Sequence, residues 1–266
     1  MPVSSKSQPE RSSARGDSPE HPPGGAKGLK DILQPKALGA APTPPFVDEA
    51  VTSLFERLPA VVSQPDARVR EFVSSHVAAA LIERNIPSTA LCLPRLDVFM
   101  PALEAVRYSP VKEAFAALIA YSMDTRGAHM VLPAYVEMLK QISHDELSLL
   151  KAFPPPGRFT PSAEIVYALP NGQIISAYRH VLSPAVCKEL AHKDNIPQYI
   201  DNLLRLSLLY RPVDQEAADT AYRPLTRLAF VRDLMKAAPA KAKAGLEKSV
   251  LGLSDLGTSF LRACLI

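Results

Sequence analysis

The chain has 266 residues, 47% apolar and 21% charged, with a formal net charge of +3; it is long enough to bury a real core in one large or two small domains. Three cysteines, Cys92, Cys187 and Cys264, are too few and too scattered for a disulfide framework or a paired-Cys zinc site, and are expected to be reduced and buried. No apolar run approaches the ~18 residues of a membrane-spanning helix, and the first segment lacks the apolar centre of a secretory signal, so a cytoplasmic protein without membrane contact is expected.

Residues 1–45, opening MPVSSKSQPERSSARGDSPEHPPGG, hold little that a core can use and read as a disordered leader rich in Pro, Ser and Gly. Within it, Leu29–Gly39 reads as a short helical turn stopped by Pro35 and Gly39. Phe46–Leu58 is a helix ended by Pro59. The clearest helix lies between Asp66 and Asn85, where Val69, Phe72, Val73, His76, Val77, Ala80 and Leu81 keep a three-four spacing and share one face. His76 sits in that stripe without a second His or carboxylate at metal-ligand spacing, which favours a core histidine over a ligand.

Ser109-Pro110 reads as a helix start, with Ser as cap and Pro at the first helical position; Val111, Phe115, Leu118 and Ile119 form its apolar face. LPAYVEMLKQI, from Leu132 to Ile142, keeps the helical period. SHDE follows, where Ser143 and Glu146 make a capping box for a helix that buries Leu147, Leu150 and Phe153. Short connections between these helices predict an antiparallel helical lobe over 46–153.

Pro154–Pro156 ends that run. AEIVYAL and QIISAYRHV, separated by Pro-Asn-Gly, are rich in β-branched and aromatic residues, and Asn171-Gly172 supplies the positive-φ residues of a tight hairpin turn. Ser183-Pro184 repeats the helix-start signal, Ile196–Leu209 is amphipathic, and Leu208–Pro212 reads as a strand. YRPLTRLAFVRDLMKAA is expected to be helical. A Lys/Ala-rich loop then leads to EKSVLGLS, a strand, and to a terminal helix. Helix, strand, return strand and helix in that order match the back half of a winged helix, elaborated by about forty residues between the strands. The expected fold class is mainly α: a helical lobe followed by an α+β, winged-helix-like C-terminal lobe over 160–266.

The blocks RNIPSTALCLPRLDVFMPALEAVRYSPVKEAFAALIAYSMDT, LPAYVEMLKQISHDELSLLKAF, YIDNLLRLSLLY and LGLSDLGTSFLRAC, in this order and spacing, resemble the abortive infection alpha family of bacterial proteins, a domain of unknown function. The similarity runs from about Leu29 to the end. Ser207 departs from it, standing where the family usually has Gly before the strand. The resemblance implies a setting in abortive infection, in which an infected cell blocks phage propagation; it brings no catalytic residues with it.

His180, Cys187 and His192 are close in sequence, but their spacing matches no zinc pattern and no Cys-His activation signature. Asp124, Arg126 and His129 follow a helix, as the residues of any exposed loop do. No phosphate loop, HExxH or GxSxG is present. From Thr220 onward eight Lys or Arg face Asp233, Glu247 and Asp255, a net +5 against −2 for the rest. Arg211, Arg223, Arg227 and Lys248 are therefore the nucleic-acid-binding candidates, joined by Arg232 and Lys236. In one continuous helix over 223–236, Arg223 and Arg227 share a face and Arg232 and Lys236 lie on the opposite side, which divides the basic patch. Trp is absent, and with it the best stacking platform for single strands.

These observations support a non-enzymatic sensor or regulator in phage defence that acts on a protein partner or on a second copy. The alternatives are a winged-helix nucleic-acid-binding regulator and a toxic effector enzyme such as a nuclease. Nothing points to a cofactor, a metal or a small-molecule substrate.

Overall fold

The computed structural model describes residues 43–56, 58, 65–213, 215 and 217–265. The expected turn at Leu29–Gly39 and most of the leader lie outside them.

Helix α1 (Pro45–Glu56) and helix α2 (Ala67–Glu83) stand where the apolar spacing puts them. Asp66 caps α2 by accepting the Val69 N–H at 2.9 Å. Val69, Val73, Val77, Ala80 and Leu81 are buried, while Phe72 and His76 flank them, their rings stacked at 3.9 Å. Helix α3 (Leu96–Val106) has no counterpart in the sequence reading. Pro101 lies inside it; a proline there removes a helical hydrogen bond and reads as a breaker, yet burial of Val98, Phe99, Ala102, Leu103 and Val106 holds the helix together.

Helix α4 (Lys112–Ser122) starts later than Ser109-Pro110 suggests. The residue before a proline avoids helical backbone, so Ser109 instead accepts the Val111 N–H at 3.1 Å in a local turn. Every residue of α4 from Ala114 to Ser122 is buried. Helix α5 (Ala134–Leu139) and helix α6 (His144–Ala152) follow. The capping box at Ser143 is complete: its Oγ accepts the Glu146 N–H at 3.2 Å and its N–H donates to Glu146 Oε2 at 2.7 Å.

Strands β1 (Thr160–Ala168) and β2 (Ile174–Leu182) form the expected hairpin. The turn differs from a two-residue Asn-Gly type. Leu169 and Gln173 close a three-residue loop, Leu169 donating to the Gln173 carbonyl at 2.8 Å, and only Gly172 takes a positive φ, 82°. Pro170 fixes the first loop φ at a negative value, which excludes the paired positive-φ turn. Ser183-Pro184 opens no helix; the Val186 and Cys187 N–H groups both donate to the Ser183 carbonyl, and the chain makes turns over 184–189.

Helix α7 (Ile196–Arg205) is capped by Leu206 and followed by Ser207, whose φ is 57°, and leads into strand β3 (Leu209–Tyr210). The single helix expected over YRPLTRLAFVRDLMKAA is two: α8 (Asp219–Thr226) and α9 (Ala229–Lys236), broken at Arg227–Leu228. Leu228 is extended there, with ψ 134°. The helical-wheel placement of Arg223, Arg227, Arg232 and Lys236 on one rod is thereby replaced. Strand β4 (Lys243–Leu253) begins earlier than EKSVLGLS, and helix α10 (Asp255–Cys264) ends the fold.

The sheet order is β2-β1-β4-β3, antiparallel throughout. The strand after α7 does pair with the strand before α10, through Leu209↔Leu253 and Tyr210↔Gly252. Most of β4 pairs instead with β1, from Thr160↔Leu251 to Ala168↔Lys243. The fold is mainly helical with a four-stranded antiparallel sheet in its C-terminal part.

LGLSDLGTSFLRAC acts as a fastening. Ser254 caps α10 by accepting the Gly257 N–H at 2.8 Å, and its hydroxyl donates to the Ser207 carbonyl at 2.6 Å. Its own N–H donates to Leu208 O at 3.1 Å. A Cβ on Gly257 would lie 2.1 Å from that same Leu208 oxygen, so glycine is required for close approach of backbone to backbone. At the far end of α10, Arg84 Nη2 donates to the carbonyls of Arg262, Ala263 and Leu265 at 2.8 to 3.2 Å. These are the carbonyls that a helix end leaves without partners.

Two apolar clusters result. The main one runs from Val47 to Cys264 and includes α4 together with Leu182, Leu203, Leu251 and Phe260; Tyr135 and Phe260 meet edge to face at 5.6 Å. The second holds Ala163, Ile165 and Tyr167, which alternate onto one face of β1, against Val181, Tyr222, Leu225 and Val231. Helices α8 and α9 lie over it.

Candidate functional site

The chemistry of the C-terminal part gathers where β2 departs from regular pairing. Ala163 pairs with Val181 and Ile165 with Tyr178, so Glu164 of β1 faces two residues, Arg179 and His180. Such a bulge re-aims side chains. His180 takes the left-handed conformation, φ 56°, and His180, Val181 and Leu182 are buried in succession, which strict alternation forbids.

The His180 side chain is 3% exposed. Its Nε2 is 3.0 Å from Asp201 Oδ1 on α7, and Asp201 also takes Arg179. Burial, outweighing the hydrogen bond and charge of Asp201, holds the His180 pKa below its ordinary 6.5, so the ring is neutral at pH 7. An ionised carboxylate only accepts; the proton therefore resides on Nε2, and Nδ1 is left as an acceptor. Nδ1 is buried and has no hydrogen-bond partner among the described residues.

His180 forms part of the wall of a cavity of about 760 Å³. Tyr178, Leu182 and Cys187 line one side, Ile196 the base of α7, and Phe230 and Leu234 of α9 the other side. Tyr178 and Phe230 face each other at 5.2 Å, and Phe230 is 40% exposed. Lys193, Asp194 and Asp233 stand among the lining residues as its charged members, all exposed to solvent. Burial pushes the Cys187 thiol up to about 11, which keeps it protonated and a poor nucleophile at neutral pH.

Asp145 and Asp124 are tied into structure. Asp145 accepts the Ala191 and His192 N–H groups at 3.0 and 2.8 Å and the Tyr199 hydroxyl at 3.1 Å. Burial alone would raise its pKa; those three donors together hold it below its ordinary value. His192 thus joins Asp145 through its backbone, while His180 and Cys187 share the cavity wall. Asp124 is buried against the exposed Arg126, whose Nη2 lies 2.7 Å away, and His129 is exposed. Among the described residues no group of three or more His, Cys, Asp or Glu is placed to hold a metal ion.

Arg211, Arg223, Arg227, Arg232, Lys236 and Lys248 are all exposed. Lys248 donates to Asp219 at 2.6 Å and lies over the Tyr222 ring, so part of its charge is answered within the chain. The cavity escaped the sequence reading because Tyr178, Ile196 and Phe230 come from three separate elements, β2, α7 and α9, with no shared period or spacing.

The family model of abortive infection alpha matches residues 67–264. The chain belongs to the abortive infection alpha family. The match begins at α2, later than the Leu29 at which the similarity was expected to start. No protein of curated function matches the chain. Among solved structures it is similar to an uncharacterized protein from the hydrocarbon-degrading marine bacterium Alcanivorax borkumensis SK2, at 17% identity and a TM-score of 0.32, over 52% of this chain and 94% of that one. No helix among the described residues is long and apolar enough to cross a membrane.

Proposed function

We propose that this abortive infection alpha protein is a non-enzymatic regulator in phage defence that acts by binding a protein partner. One observation carries the reading: β2 is an edge of the sheet, and its first residues, Ile174 and Ile175, are 59% and 40% exposed. An edge strand offers unpaired backbone groups, and proteins that must stay single guard such edges with charge or proline. Ile174–Tyr178, IISAY, carries neither. The edge suits a partner that adds a strand, its backbone supplying affinity and the two isoleucines supplying apolar contact.

The test is protection of a bacterial host against phage, measured by plaquing efficiency, with Ile174→Lys and Ile175→Lys introduced together. Both side chains are exposed, so the variant should melt within a few degrees of the parent and lose protection. Full protection by a folded variant would sink the reading.

A second reading, a winged-helix-like nucleic-acid-binding regulator, is favoured by the β3–β4 pairing that feeds α10 and by the exposure of Arg211, Arg223 and Arg227. It requires binding to duplex DNA or RNA that weakens with salt and weakens again in the Arg223→Ala, Arg227→Ala double variant. Absence of binding at low salt would remove it.

A further inference from the structure

We propose that the cavity between β2 and α9 binds a small organic cation, an apolar body bearing one ammonium group, with the charge held beside Tyr178 and Phe230. The volume, about 760 Å³, lies within the range of ~300–1,000 Å³ in which small-ligand pockets occur. An ammonium head, about the size of a water at ~30 Å³, leaves most of that space to an apolar body. Val181, Leu182, Ile196 and Leu234 supply apolar walls for it.

The sign of the charge follows from how rings and carboxylates are arranged. Tyr178 and Phe230 meet at 5.2 Å between ring centroids, and Phe230 is 40% exposed, so part of its ring is open to a ligand. Each ring has a carboxylate associated with it. Asp233 follows Phe230 by three residues on α9, a spacing that puts both on one side of the helix. Asp194 acts on Tyr178: burial first, and then the negative charge of Asp194, raises the pKa of the phenol. Both carboxylates line the cavity, and among the described residues neither forms an ion pair with a Lys, Arg or His. Lys193, which also lines the cavity, bears on the Cys187 thiol instead. The faces of aromatic rings attract cations, and the two carboxylates favour a cation and oppose an anion at the same place. This inference does not depend on a partner at the β2 edge, since Ile174 and Ile175 are outside the cavity wall.

Three probes built on one ring system test it: 2-(aminomethyl)naphthalene, 2-naphthalenemethanol and 2-naphthoate, which at neutral pH are positive, neutral and negative. Titration calorimetry on the full chain should give one site for the amine, with affinity about tenfold above that of the alcohol and with the naphthoate weakest. The Asp194→Asn, Asp233→Asn double variant alters only exposed side chains, so it should melt with the parent. Its affinity for the amine should fall most of the way to that of the alcohol, and its affinity for the alcohol should stay as it was. Phe230→Leu keeps an apolar side chain and removes the ring, and should cut the advantage of the amine about threefold. Equal affinity of amine and alcohol, tighter binding of the naphthoate, an amine preference undiminished in the double variant, or absence of saturable binding would each overturn the assignment.

Discussion

The packing around α4 and the packing under α9 show two ways of using a helix. Helix α4 buries nine consecutive residues, Ala114 to Ser122, and has α2, α3 and α10 against it. Helix α9 buries only Val231 of its eight residues, leaving Phe230 half open over a cavity. Dense contact on every side resists local opening, and a thinly held helix opens first. Stability therefore resides around α4 and α10, and unfilled space resides beside α9.

The largest expected contrast comes from truncating one side chain on each side. Phe115→Ala, in the fully buried helix, should cost about 3–5 kcal/mol by lost transfer energy and cavity. Val231→Ala should cost about 1–2 kcal/mol. Urea unfolding of both variants measures the difference, and equal losses would contradict the unequal roles of the two regions.

Gly257→Ala addresses how the dense region is closed. The added methyl meets a backbone oxygen that has no rotamer by which to escape, so a loss of about 3 kcal/mol is expected. Gly245→Ala is the control on β4, because its Cβ would meet only Val166 Cγ2 at an ordinary 3.6 Å. Similar melting temperatures for the two variants would refute the close-approach explanation.

Ser207→Gly should stabilise the protein by about 0.5–1 kcal/mol. Ser207 has φ 57°, a conformation that costs an L residue roughly 1–2 kcal/mol and glycine little, less the entropy glycine loses on folding. Its contact with Ser254 uses only the backbone carbonyl and survives the change. A raised melting temperature is the expected readout.

The gentlest perturbation is pH. Folded His180 binds its proton less readily than the unfolded chain, whose pKa is near the ordinary 6.5. Its contribution is complete above that pH and should decline as pH falls below it. Asp145, held below the ordinary 3.8, contributes above that value and is lost only in stronger acid. Unfolding followed from pH 8 to pH 3 should thus show a first decline that disappears in His180→Phe and a second, shared with Asp124, that shrinks in Asp145→Asn.

Much of the helical part was legible because its signals are local. The stripe in α2, the Ser143 box and the Ser254 cap each depend on residues three or four apart in the chain. Helix α3 was illegible because Pro101 argues locally against it, and only the buried face toward α4 outweighs that. The α8–α9 break was missed for the opposite reason: its apolar residues fit one helical period across an extended Leu228.

The sequence by itself determined the helix and strand types of most elements, the hairpin, the Ser143 and Ser254 caps and the family. The tertiary structure alone decided the bulge at His180, the orphaned Nδ1, the cavity beside α9 and the need for glycine at position 257. The first group follows from backbone periodicity and nearest-neighbour hydrogen bonds. The second depends on where distant segments meet: Asp201 beside His180, and the Leu208 oxygen against Gly257.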